Sequence, residues 1–181
     1  MSDGSVVALA SGTRMTILAN VQSQPESQDP LGLTRAQWEA NPRQADPAAS
    51  LFDTRKSIDQ QQLGVALEHD FGADTTLKAV AYGGHRGIRQ YLALVGNTGF
   101  SSGGVTDLDR GYGGGSLRLS RTLAPALGLD VGVEYESQDE HRRGYVNNDG
   151  DLGDLRRDED DKVGSTALYA QLRWDFAADW S

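Results

Sequence analysis

The sequence predicts an all-β protein, an antiparallel up-and-down transmembrane β-barrel, and three observations carry that prediction. First, several segments alternate apolar and polar residues with period two, the pattern of strands whose two faces meet different surroundings. Second, one short phrase recurs four times, as Leu9–Met15, Phe71–Leu77, Leu123–Leu129 and Phe176–Ser181, the last ending with the chain. In the other three copies an apolar residue closes one strand and another, six positions on, opens the next. Third, the stretches between copies are longer, polar and rich in Gly, Asp and Asn. Short turns at one end and long loops at the other are the ends of a membrane barrel.

Composition excludes several other classes. Of 181 residues 38% are hydrophobic and mean hydropathy is -0.51, while the longest apolar runs, Val6–Ala10 and Tyr91–Val95, fall far short of the ~18 residues of a spanning helix. A helical membrane protein is excluded. Twenty-two glycines against five prolines favour turn-rich β structure over amphipathic helices. Cysteine is absent, so disulfides and thiolate metal sites are excluded. The formal charge of -9, without a basic stripe, argues against nucleic acid as a partner. The N-terminus lacks a basic segment and holds only a five-residue apolar run, so no signal peptide is expected in this stretch.

The elements follow in order. Val6–Ala10 is expected to be the end of a strand entering the first turn. Arg14–Gln22 sets Met15, Ile17, Ala19 and Val21 against Thr16, Leu18, Asn20 and Gln22. A long loop is expected from Pro25 to Ser57, carrying four prolines. Inside it Thr34-Arg-Ala-Gln37 has the spacing of a capping box and predicts a short helix stopped by Pro42. The next strand, Ile58–Phe71, opposes Leu63, Val65, Leu67 and Phe71 to Gly64, Ala66, Glu68 and Asp70. A strand from Thr75 to about Leu94 holds glycines from Gly83 to Gly87, where a bulge or register change is expected, so faces are not assigned across it.

After a loop from Gly96 to Asp109, Arg110–Leu123 descends with Leu117, Leu119 and Leu123 opposed to Arg118 and Ser120. Leu127–Val146 is the cleanest strand: Leu129, Val131, Val133 and Tyr135 oppose Asp130, Gly132, Glu134 and Glu136. Past Ser137 both parities turn polar, as where a strand leaves the hydrocarbon. A loop after Val146 should lead to Val163–Phe176, with Leu168, Ala170, Leu172 and Trp174 opposed to Tyr169, Gln171 and Arg173. Trp174, Phe176 and Trp180 form an expected interfacial girdle. A soluble β-sandwich also alternates, but its strands are typically only ~5–6 residues long.

No motif indicates catalysis, a cofactor or a metal. The acidic stretch Asn147–Asp154 with Asp158–Asp161 lacks the helices and terminal Glu of a calcium loop and reads as a solvated external loop. His69, His85 and His141 have no metal-ligand spacing, and Glu140 beside His141 points to the opposite face of a strand. Gly111-Tyr-Gly-Gly-Gly115 lacks the Lys-Ser/Thr of a phosphate loop.

Four stretches, Asp29–Glu39, Asn41–Gln44, Phe52–Lys56 and Asp139–Tyr145, together with the repeated turn, resemble the barrel region of TonB-dependent outer-membrane receptors of the siderophore type. The resemblance covers nearly the whole chain. It implies a large barrel with a globular plug, not an enzyme, sited in the outer membrane of a Gram-negative bacterium. Such a barrel imports a ferric siderophore or a similar scarce chelate with energy from the TonB complex. Residues 1–181 are then expected to be a partial barrel domain of about six to seven strands, with the plug and the TonB-interacting segment absent. The expected partners are the small ligand, outer-membrane lipid and, through the missing N-terminal part, the TonB complex. Candidate ligand contacts are Arg89, Tyr91, Arg142, Arg143 and Tyr145, on upper strand ends where guanidinium and aromatic groups suit an anionic, catechol-like or hydroxamate chelate. For any one of these a solvated strand end or an ion pair with the acidic loops is the competing reading. A passive channel, a barrel enzyme and a soluble β-rich binding module are the rival functions.

Overall fold

The computed structural model describes residues 2–176, with side chains from Ser11 onward. Seven strands form one antiparallel sheet in sequence order: β1 (Ser2–Ala10), β2 (Thr13–Gln28), β3 (Arg55–Asp70), β4 (Thr75–Tyr91), β5 (Val105–Ala124), β6 (Leu127–Asn148) and β7 (Asp151–Trp174). Two short helices, α1 (Arg35–Ala40) and α2 (Pro47–Leu51), lie in the β2–β3 connection. This is the meander that the alternating turns and loops predict. Strand β1 begins earlier than its apolar run, and the fourth turn copy beyond Phe176, with Trp180, lies outside the described residues.

The register fixes the two faces. Met15, Leu67, Ala79, Leu117, Val133 and Leu168 fall in one row across β2–β7, and Ile17, Val65, Ala81, Gly115, Tyr135 and Thr166 in the next. The opposite face carries rows such as Glu68, Lys78, Arg118, Gly132 and Tyr169. Among the described residues no second layer covers the apolar face: Leu63, Leu117, Leu172 and Leu168 are exposed, Leu168 to 81%. In water such a surface would be a liability of many kcal/mol at about 25 cal/mol per Å²; against hydrocarbon it is the stable arrangement. Among the described residues the buried apolar ones, Ala49, Tyr91, Val105 and Val146, sit at the long-loop end.

The expected break at Gly83–Gly87 does not occur: β4 keeps continuous register with both neighbours from Thr76 to Tyr91. Of these glycines Gly84 serves clearance instead of bending. A Cβ on Gly84 would lie 2.6 Å from the Tyr112 hydroxyl and 2.6 Å from the Gln61 carbonyl oxygen. Tyr112 stands directly opposite Gly84, Tyr82 opposite Gly114 and Tyr169 opposite Gly132. Three rings on the polar face thus lie across a facing glycine, an arrangement that shields the backbone a missing side chain leaves bare.

The loop expected after Val146 is also replaced. β6 and β7 run on to Asn148 and Asp151 and close through Asp149 and Gly150, both at positive φ. Asp-Gly is the favoured pair for a two-residue hairpin of this handedness, so the acidic stretch is folded as paired strand rather than loop. Strand β2 likewise runs through Pro25, where pairing with β3 skips from Gln24 to Ser27 because proline offers no N–H to the ladder. The Thr34 capping box forms as expected, Gln37 N donating to Thr34 Oγ1 and Thr34 N to Gln37 Oε1. Helix α2 was not expected; Asp46 as N-cap followed by Pro47 is its local signal.

Candidate functional site

At the long-loop end the connections are tied together by one side chain. Asn147, with 0% exposure, donates from Nδ2 to the carbonyl oxygens of Phe52 and Leu92, each at 3.0 Å, and accepts at Oδ1 from Gly150 N at 2.8 Å. Its backbone N–H donates to Val95 O. The β2–β3 connection, the β4–β5 connection and the β6–β7 turn therefore meet at Asn147. Thr54, buried just before β3, donates its hydroxyl to Asp29 O and closes the first of these connections at its base. Within that connection the Asp46 carboxylate accepts from Ala48 N and Gln37 Nε2, which holds its pKa below the ordinary carboxylate value. The α2 cap is consequently intact at neutral pH and weakens only as pH falls through that lowered value.

The five sequence-derived contact residues divide between faces. Arg89, Tyr91, Arg143 and Tyr145 share the parity of the apolar face, on the strand ends beyond it, and Arg142 lies on the polar parity. Arg89 donates to Asp107 Oδ2 at 2.6 Å and Arg143 to the same oxygen at 3.3 Å, around a buried aspartate. The Asp107 hydrogen bond raises the Arg89 pKa further above its ordinary value. The Tyr91 ring lies under the Arg55 guanidinium at 3.6 Å, and Arg55 in turn pairs with Asp53 and donates to Gly150 O. Tyr145 is half-buried opposite Val105. Arg142, also half-buried, makes no side-chain hydrogen bond or ion pair among the described residues. His85 and His141 sit on the apolar parity, each against a carboxylate, Asp109 at 2.8 Å and Asp158 at 2.6 Å.

The polar face holds a group that sequence reasoning did not assemble. Tyr82 donates to Glu136 Oε1 at 2.9 Å, Tyr112 to Gln62 Oε1 at 3.3 Å, and Arg110 pairs with the buried Glu140. Gln60, Arg86, Arg110, Tyr112, Glu136 and Gln138 line a depression of about 370 Å³ between them. The signal was the parity of Glu134 and Glu136 continued upward through Gln138 and across the ladder to Arg110 and Arg86. Leaving β4 unassigned past Gly83 hid it.

This architecture is similar to a solved structure of the ferric citrate transporter FecA in its unliganded form. The two superpose with a TM-score of 0.67 over 96% of this chain at 17% identity, and the chain spans 26% of the transporter's own length. A likeness at that identity establishes the fold. The family model of TonB-dependent receptor-like β-barrels matches residues 7–181, almost the entire chain, and the chain belongs to that family.

Proposed function

We propose that this chain forms part of the barrel wall of an outer-membrane receptor that takes up a ferric chelate of the siderophore class, with energy supplied through TonB. The observation that carries the reading is the division of one continuous meander into an apolar face for lipid and a polar, charged face for a lumen, in a chain of this family. Such a family is one of receptors and not of enzymes, and the alternation needs no catalytic group to explain it. The cargo by which the FecA transporter is named, ferric citrate, supports an anionic chelate as the cargo here. In this reading the turns after β1, β3 and β5 face the periplasm and the Asn147-linked connections, with the β6–β7 hairpin among them, face outward.

Among the five contact candidates Arg142 carries most weight. It lies on the polar parity with its guanidinium unengaged, whereas Arg89 and Arg143 already share Asp107 and Tyr91 lies beneath Arg55. Arg89, Arg143, Tyr91 and Tyr145 would contribute by holding the outward connections in place. Cells expressing the full-length receptor are expected to accumulate radiolabelled ferric citrate or another ferric chelate from a panel, and to stop when TonB is deleted. Accumulation of every chelate at an unchanged rate without TonB would overturn the proposal and indicate a passive channel.

A further inference from the structure

Arg86 is the most poorly satisfied charge on the polar face. It makes no side-chain hydrogen bond or ion pair among the described residues, and its Nε is buried without an acceptor. Directly across the ladder stands a second cation, Arg110, and on its other side Gln60. Like charges directly opposite each other in a sheet are destabilising, and a buried guanidinium N–H without a partner adds a desolvation cost. Arg110 is relieved by Glu140; Arg86 is not. The wall alone gives no reason for an arginine at this position.

The surroundings supply one. Gln60 and Gln138 make no side-chain hydrogen bond among the described residues, so two amide groups accompany the free guanidinium in the same depression. At its opposite end, across the Tyr112 row, Glu136 accepts from Tyr82 through Oε1 and keeps its second oxygen available. The depression, about 370 Å³, is therefore cationic toward Arg86 and hydrogen-bond accepting toward Glu136. That volume is in the range of small-molecule sites.

We infer that Arg86, with Gln60 and Gln138, forms an anion subsite on the polar wall for a small ligand bearing a carboxylate. The carboxylate meets the Arg86 guanidinium in a charge-assisted pair, and a hydroxyl or ammonium group of the same ligand donates to Glu136. The inference rests on reading the polar face as a lumen wall, and it is independent of whether transport is energised.

Sodium citrate is the probe, applied to the full-length receptor in outer-membrane vesicles with the arginine reagent phenylglyoxal, and modification is mapped by peptide mass spectrometry. Arg86 is expected to be modified and Arg110, held by Glu140, to be spared. Citrate is expected to protect Arg86 saturably where sodium chloride of equal ionic strength does not. In equilibrium dialysis, Arg86→Gln is expected to weaken citrate binding by about tenfold or more, the loss of one charged hydrogen-bonding partner, whereas Arg43→Gln in the β2–β3 connection leaves it unchanged. An Arg86 that resists the reagent without citrate is closed off by another part of the receptor, and that result would overturn the subsite. Equal modification at saturating citrate would overturn it as well. Failure of TonB-dependent uptake with citrate protection intact would sink the transport proposal and leave the subsite standing.

Discussion

Asn147 sets the organisation of the long-loop end because three separate connections meet on its side chain. Its amide is matched atom for atom: two N–H donors to Phe52 O and Leu92 O, one acceptor to Gly150 N. Replacing it by alanine takes the partner of Phe52 O and of Gly150 N–H and leaves Leu92 O with Leu94 N–H alone, a cost of about 2–4 kcal/mol after water enters. The strands lie below this node and keep their own ladders. Asn147→Ala in the full-length receptor is therefore expected to expose the β2–β3 and β4–β5 connections to protease on intact cells at unchanged barrel melting. Asn147→Asp, which keeps the acceptor and loses both donors, should behave nearly as badly. Protease resistance equal to wild type in both variants would show that the connections are held elsewhere. Nothing in the sequence singles out this residue: it is one of three polar residues in Asn147-Asn-Asp149, and its role depends on partners 95 and 55 positions away.

At the scale of elements, the hairpins were legible and their upper ends were not. Alternation from Leu129 to Tyr135 and from Leu168 to Trp174 required no tertiary information, since each face declares its environment residue by residue. Thr34 and Gln37 likewise fixed α1 through local bonds. The glycines of β4 misled because glycine in a strand signals either a bulge or a close approach, and the partner that decides between them, Tyr112, lies on another strand. That interpretation has a direct test. A Cβ on Gly84 would crowd both the Tyr112 hydroxyl and the Gln61 carbonyl oxygen at 2.6 Å. Gly84→Val should destabilise the full-length barrel by about 1–3 kcal/mol, the ordinary cost of overpacking, seen as a lower temperature for loss of heat-modifiable gel mobility. Combining it with Tyr112→Ala should recover part of the loss, because removing the ring removes one of the two clashes. Additive losses would mean that the glycine serves the backbone and not the ring.

For the whole molecule, the decisive fact is that the sheet is open. Strand order runs from β1 to β7, and β1 and β7 do not pair with each other. Seven strands that bury one face in lipid present two edges to it, and in hydrocarbon an unsatisfied backbone N–H or C=O costs several kcal/mol. β7, of 24 residues, crosses the hydrocarbon with only about 10 of them, and roughly half of the backbone groups on those point away from β6, so the deficit at that edge is on the order of ten groups. No contact within the chain is large enough to offset this. Closure by curling β7 onto β1 is opposed by the polar face, where Tyr82, Tyr112, Tyr169 and the Arg110–Glu140 pair occupy an interior that a seven-strand cylinder would have to shrink around. Residues 1–181 expressed alone and refolded into detergent or lipid are thus expected to yield protease-sensitive, aggregated material with no heat-modifiable monomer. Strands supplied by the rest of the receptor, co-refolded as a separate piece, are expected to restore it. A compact, heat-modifiable monomer from residues 1–181 by themselves would mean that the two edges find each other, and the wall would then be a small barrel in its own right.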